Sequence, residues 1–404
     1  MSKHIRVLCL LALLAGAALL AAGCGSTGQT GANSGTTVAS TSTVPSGEPI
    51  VIGAVVSTTG AAAPLGEPES NTMQLLEKNI NASGGVLGRP LKIVIVDDQS
   101  DPKQAVTAAN RLLQQEKAVA LIGGSTSSTT LAIKPIATKA GVPLIAMAAA
   151  NSITDEAPMD WVWRVAPKDD LAVMRALKYI GENLKLKKIG VLYDENAFGQ
   201  SGITQIEKSK DQYGLEVVAK ESYKTDETDL TAQLTKIKGA NPEVIVVWGT
   251  NPAPAIAAKN MKQLGMTQPY VGSHGIANLA FITLAGAAGE GVVFPATKIL
   301  APETITDPKQ KALIDTFIAD YQKEYGESPN HFASHGYDGV ALLVEAIKRA
   351  GSTDPKAMQA ALNNLSGFAG ADGIFNYTAT NHDGLAVEDL IMVKIQGGKW
   401  TLAK

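Results

Sequence analysis

The sequence predicts an α/β protein of two lobes, each a parallel sheet covered by helices on both faces. Three observations carry this. From residue 50 onward, short continuous apolar runs alternate with stretches of helical periodicity. Such runs mark strands buried on both sides, and the intervening helices supply the crossovers that parallel strands need. About 350 residues take part, beyond the size at which one hydrophobic core stops growing, so the chain divides. The last hundred or so residues hold two clear helices and two strand-like runs, too little for a third core. They are expected to return and complete the two sheets, which makes a hinged, bilobed clamp.

The chain opens with Lys3 and Arg6, an apolar run from Val7 to Gly23, and then Cys24. A basic start, an apolar stretch and the small residues Ala21, Ala22 and Gly23 together form a secretory signal. Its end resembles a bacterial lipoprotein lipobox, in which cleavage leaves the cysteine first and acylated. The common pattern has Leu three places before the cysteine; here Ala21 stands there and Leu20 one place further back. The competing readings are an ordinary signal with an incidental cysteine, or an uncleaved membrane helix, for which the run is at the short end of the ~20 residues required. Residues 1–23 are thus expected to be a signal peptide and Cys24 the lipidation site. Cys9 lies inside the signal, so the mature chain would keep Cys24 alone and fold without an internal disulfide.

Losing Lys3 and Arg6 takes the basic count from 35 to 33 against 38 acidic residues, a formal charge of −5. That balance gives no electrostatic footprint for nucleic acid. The short cluster Lys185, Lys187 and Lys188 reads as a solvated helix end. Residues 25–48 are almost wholly Gly, Ser, Thr, Ala and Asn and bury too little to order themselves, so 24–48 is expected to be a flexible, lipid-anchored tether.

The first strand is Val51 to Val56. A helix follows with Met73, Leu76 and Ile80 on one side, stopped by Gly84-Gly85. Leu91 to Val96 is the second strand. Asp101-Pro102 reads as N-cap and first-turn proline of a helix that turns Val106, Ala109 and Leu113 inward. Strands at 119–122 and 143–147 flank the next helix, and others are expected near 189–193, 215–218, 244–248 and 270–272. The tail carries a helix with Tyr337, Val340, Ala341, Val344 and Ile347 on one face, then strands at 390–395 and 399–402. Residues 49–165 with 294–372 are assigned to lobe 1, and 166–293 with 373–404 to lobe 2.

In open α/β sheets, ligands bind beyond the carboxyl ends of the strands. Gly123-Gly124-Ser125-Thr126-Ser127-Ser128 lies there, between a strand and a helix start. Backbone N–H groups, a positive helix end and hydroxyls suit an anion, most simply a carboxylate. Enzyme signatures are missing: no G-x-S-x-G elbow, Walker A loop or H-E-x-x-H motif occurs. His331 and His335 have a spacing that can hold a metal, but no Glu follows His331, and a surface or core pair is the simpler account. Asp97-Asp98-x-x-Asp101 could be a cation loop, yet capping explains it more simply. No cofactor and no metal are expected.

Four segments resemble the leucine/isoleucine/valine-binding group of type I periplasmic binding proteins. They are GGVLGRPLKIVIVDDQSDPKQAVTAANRLL (84–113), GGSTSSTTLAIKPIATKAGVPLI (123–145), WRVAP (163–167) and YDGVALLVEAIKRAG (337–351). The likeness runs from about residue 50 to the end, in order and spacing. It implies two Rossmann-like lobes joined by a three-crossover hinge, and solute capture outside the cytoplasm for an ABC importer. It also implies no enzymatic activity, a monomer, a permease partner and, with Cys24, attachment to the outer face of the cytoplasmic membrane or a periplasmic lipoprotein.

By the same likeness Ser127, with Ser128 beside it, holds the ligand's carboxylate, and the Ala148 carbonyl meets an ammonium. Phe198 covers the ligand. Ala150 stands where a threonine hydroxyl is usual, Leu65 and Thr250 where aromatic side chains are, and Trp248 precedes Thr250 on the wall. His274, in VGSHGIAN, replaces a glutamate that pairs with the ammonium. An imidazole cannot supply that carboxylate, and a buried ammonium left unpaired costs several kcal/mol. Asp194 or Glu195 could provide an acceptor instead, so amino acids and amine-free carboxylates both stay open. A lipid-tethered sensory module of the same fold is the alternative to an importer subunit.

Overall fold

The computed structural model describes residues 44–157 and 159–403. The signal peptide, Cys24 and most of the expected tether lie outside the described residues. Among those described, no helix is long and apolar enough to cross a membrane.

The first sheet holds β1 (Ile50–Val56), β2 (Leu91–Asp97), β3 (Ala120–Gly123), β4 (Leu144–Ala146) and β5 (Val162–Arg164), in the order β2-β1-β3-β4-β5. All its pairings are parallel, with Ile52 opposite Ile93 on one side and Ala120 on the other. Side chains alternate between faces, so one strand feeds two cores. Ile52, Ala54 and Ile122 pack with Met73, Val340 and Leu343, whereas Val55 and Leu121 pack with Ala109, Leu112 and Ile133. The helix Pro102–Gln114 starts as its sequence suggests: Asp101 accepts from the amides of Lys103 and Gln104 at 2.7 and 3.0 Å. Asp97 and Asp98 likewise accept from amides and hydroxyls of the adjoining turns.

The second sheet takes β6 (Lys188–Asp194), β7 (Glu216–Tyr223), β8 (Val244–Trp248), β9 (Tyr270–Gly272) and β10 (Val293–Thr297). A small hairpin, β11 (Phe368–Ala369) with β12 (Ile374–Phe375), stands apart. β13 (Leu390–Gln396) and β14 (Lys399–Leu402) then complete the order β14-β13-β10-β9-β8-β6-β7, antiparallel at that edge. Two cores flank this sheet as well.

The chain passes from the first sheet to the second after β5, back after β10, and over again before β13. Two expected boundaries move. β10 belongs to the second sheet, through pairing with β9 and β13, although 294–297 was assigned to lobe 1. Phe375 and Tyr377 pack in the first lobe's core, although 373 onward was assigned to lobe 2. The tail supplies strands to the second sheet only; its helices cover the first.

Candidate functional site

A cavity of about 270 Å³ lies where the carboxyl ends of both sheets face each other. Loops after β2, β3 and β4 wall one side, and loops after β6, β7, β8 and β9 the other. Of the nine expected ligand residues, Leu65, Ser127, Ser128, Ala148, Phe198, Thr250 and His274 line it. Ala150 and Trp248 do not. No Asp, Glu, Lys or Arg is among its lining residues.

Ser127 opens the helix Ser127–Ala140, capped by Thr126, whose hydroxyl accepts from the Thr129 amide at 3.2 Å. The Ser127 Oγ accepts from the Ala150 amide at 3.1 Å, which leaves its O–H free to donate. With the first-turn amides and the positive helix end, this wall presents donors of the kind that suit an anion.

Behind the wall sits Arg164, the last residue of β5 and fully buried. Its Nη1 donates to the Ala148 carbonyl and its Nη2 to the Ala150 carbonyl, both at 2.9 Å. Its Nε meets Asp383 Oδ1 at 3.0 Å, and Nη2 also reaches Thr154 Oγ1 at 2.6 Å. Burial alone would raise the Asp383 carboxyl, but Arg164, Thr154 and Lys168 hold it below its ordinary value. The Ala148 carbonyl, which the family likeness sets against a ligand ammonium, accepts from this guanidinium with one of its two lone pairs, and the positive charge beside it disfavours a second cation.

Trp248 lies behind the opposite wall, its ring centroid 6.0 Å from Phe198 and 5.8 Å from His274. Its Nε1 donates to Asp169 Oδ1 at 3.3 Å, and His274 Nε2 stands 3.9 Å from the same oxygen. Burial pushes Asp169 up to about 7, while Ser201, Arg164 and Trp248 restrain the rise. Burial, assisted by His335 and Arg164, pushes His274 down to about 3, so the ring is neutral. Asp194 accepts from the Asn196 amide and the Thr225 hydroxyl and, like Asp169 and Glu195, does not line the cavity.

The Asp169 shift predicts a pH dependence. The folded form holds this proton up to about pH 7, and the unfolded chain only to about 4. Stability from this group is present below pH 4 and lost as the pH climbs to 7. Asp169→Asn removes the loss, on the order of 4 kcal/mol at most over that window. Melting curves should show the variant gaining on the wild type from pH 4 to 7; a constant difference sinks the assignment.

His331 and His335 are both buried, and His335 also lines the cavity. With Asp372 they offer three ligand atoms within 4.8 Å of one another. His331 Nδ1 lies 2.9 Å from Thr297 Oγ1, and His335 Nδ1 lies 2.8 Å from Asp372 Oδ2. Arg164, Asp169 and Asp372 are the polar residues that the sequence alone does not single out. One signal was present: Arg164 interrupts the apolar run Trp161 to Ala166.

Two α/β lobes that enclose an uncharged, anion-receptive cavity at the strand ends define a solute-binding protein. A family model described as "Periplasmic binding protein" matches residues 49–399. The chain belongs to that family, whose members are binding proteins and not enzymes. It is 31% identical to the leucine-, isoleucine-, valine-, threonine-, and alanine-binding protein of Pseudomonas aeruginosa over 75% of this chain and 79% of that one. An extracellular ligand-binding receptor from Rhodopseudomonas palustris superposes with a TM-score of 0.81 at 28% identity, over 88% of this chain and 99% of that one. The branched-chain amino acid transporter substrate binding protein LivJ from Streptococcus pneumoniae, in complex with isoleucine, gives 0.79 at 28%, with the same coverage.

Proposed function

We propose that this protein is the extracytoplasmic solute-binding subunit of an ABC importer, and that it captures a small carboxylate-bearing solute by closing its two lobes. The observation that carries the reading is the Ser127 wall: a free hydroxyl on a helix start, backed by the buried Arg164 and facing a cavity with no charged lining. The relatives point to solute capture, and two of them are named for amino acids. The uncharged lining and the engaged Ala148 and Ala150 carbonyls favour a solute without an ammonium.

Ligand docks on residues 123–150, the second lobe closes over it, and the permease reads the closed form. Three crossings between the sheets provide the hinge. Acylation of Cys24 and the tether over 24–48 would keep the clamp, as a monomer, beside its membrane partner.

Thermal melting against amine-free carboxylates and branched-chain amino acids tests this reading. At ~100-fold excess over Kd a true ligand adds ~2.7 kcal/mol, and no shift with any of them overturns solute capture. Ser127→Ala should weaken carboxylate binding about 10- to 100-fold, as expected for a lost hydrogen bond to a charged group. His274→Glu should move preference toward amino acids. Indifference to both substitutions overturns the site.

A further inference from the structure

Behind the Ser127 wall a chain of buried polar groups runs from Glu69 to the cavity. Glu69 lies in the helix Ala63–Ala82 and is fully buried. Two close backbone approaches fix it there. A Cβ on Gly66 would come within 2.1 Å of the Ser57 carbonyl oxygen, and one on Gly336 within 2.6 Å of the Glu69 carbonyl oxygen. Glu69 Oε2 lies 2.5 Å from Ser125 Oγ, and Oε1 has no hydrogen-bond partner. Ser125 lines the cavity two residues before Ser127, and its Oγ also accepts from the Ser57 amide at 3.0 Å.

A buried carboxylate without a cation is costly, and the charged groups that face Glu69 are acids. Burial pushes it well above the usual carboxylate range, and the hydrogen bond to Ser125 restrains the rise. Asp98, from the loop after β2, and Asp372, from the turn of the β11–β12 hairpin, push it further. Asp98 is engaged by the Ser57 hydroxyl at 2.6 Å, and Asp372 by the Ser334 hydroxyl and the His335 ring. On the helix His331–Ala350, which sets Gly336 against Glu69, Asp338 accepts from the Asp372 amide at 2.7 Å. Glu67, on Glu69's own helix, is exposed. Glu69 is therefore a neutral acid at neutral pH.

Where its proton sits decides what Ser125 can do. On Oε1 the proton would have no acceptor, so it sits on Oε2 and donates to Ser125 Oγ. That oxygen then fills both lone pairs, one with the Glu69 hydroxyl and one with the Ser57 amide. Its own O–H is left with no acceptor in the protein. Ser127 stands in a like condition, its Oγ accepting from the Ala150 amide. The wall thus offers two hydroxyl donors, which the two oxygens of a carboxylate can receive. Were Glu69 ionised, Ser125 would turn its proton inward and one donor would be lost.

We infer that Glu69 is the positioning residue of a second anchor for the solute's carboxylate: held as an acid, it donates to Ser125 and turns the Ser125 O–H toward the solute, beside that of Ser127. The inference rests on the carboxylate reading above and adds to it a residue that does not line the cavity.

Infrared spectroscopy and titration calorimetry of the purified protein test it, with benzoate, 4-methylpentanoate and L-leucine as probes. At neutral pH the wild type should show the carbonyl band of a protonated carboxyl that Glu69→Gln lacks. The tightest-binding probe should shift that band, because a Ser125 O–H that donates to the probe accepts more strongly from Glu69. Ser125→Ala should bind the probe about 10- to 100-fold more weakly, the effect of one hydrogen bond to a charged group. Glu69→Gln, whose amide N–H can also donate to Ser125, should stay within about threefold of the wild type. As alkali removes the band, wild-type affinity should fall toward that of Ser125→Ala while Glu69→Gln holds, a pH profile that a merely structural role would not give. Three results overturn the inference and leave the carboxylate reading standing: no such band lost in Glu69→Gln, wild-type affinity in Ser125→Ala, or affinity that stays constant as the band disappears. No binding of any of the three probes overturns the carboxylate reading itself. Should Glu69→Gln fail to fold, the Ser125→Ala affinity decides; should Ser125→Ala fail, the shift of the wild-type band does.

Discussion

Arg164→Met should cost about 3–5 kcal/mol of folding stability, the largest loss expected from any single polar substitution near the cavity. Methionine fills a similar length, so lost volume is not the cause. Removing the guanidinium leaves the Asp383 carboxylate with Lys168, at 3.2 Å, as its one remaining cation among the described residues and takes donors from the carbonyls of Ala148 and Ala150 and from Thr154. The site also knits two crossovers. The Arg164 amide donates to the His382 carbonyl at 2.9 Å, and the Tyr377 hydroxyl to the Arg164 carbonyl at 2.6 Å. Urea denaturation measures the effect through the midpoint at constant slope. Adding Asp383→Asn should recover part of the loss, because the half-compensated charge goes with it. A loss below about 1 kcal/mol would mean that the guanidinium is not essential to the fold.

Gly202→Val should collapse the aromatic wall and remove solute binding. Gly202 lies in the helix Ala197–Ser209, and a Cβ there would come within 2.1 Å of Trp248 Cδ1 and 2.3 Å of its Nε1. The indole is fully buried and has no room to retreat. Overpacking of this kind costs about 1–3 kcal/mol and sometimes more. The functional loss should be larger, because Trp248 backs Phe198 and His274 and a displaced ring pushes both into the cavity. Melting with and without the best-binding acid checks this: the variant should lose the ligand-induced shift as well as part of its own stability. Gly239→Ala is the control, since a Cβ there meets nothing within 4 Å. If Gly202→Val keeps the full ligand shift, the wall behind Phe198 does not shape the site.

Much of the fold was legible because buried parallel strands announce themselves locally. Val51 to Val56 and Leu91 to Val96 stand within a residue of β1 and β2, and the Asp101 cap forms as its spacing suggests. The strands that were missed are short or interrupted. β5 is three residues ending in Arg164, and β10 contains Pro295, which has no amide to give a ladder. Pro295 is accommodated opposite Met392, in a pairing that chain position 295 alone does not reveal.

The cavity wall divides along the same line. Ser127, Ala148, Phe198 and His274 came from the family resemblance, and they line the cavity because each stands within four residues of a strand's carboxyl end, where strand ends converge in this topology. The charge around them could not be read in that way. Arg164 meets Asp383 across 219 positions of sequence, and His335 meets Asp372 across 37. By itself the sequence determined the alternation of strands and helices, and with it two sheets whose carboxyl ends make a site. Only the tertiary structure decided what that site can hold, because a buried group's charge and hydrogen bonding depend on partners that folding brings from elsewhere in the chain.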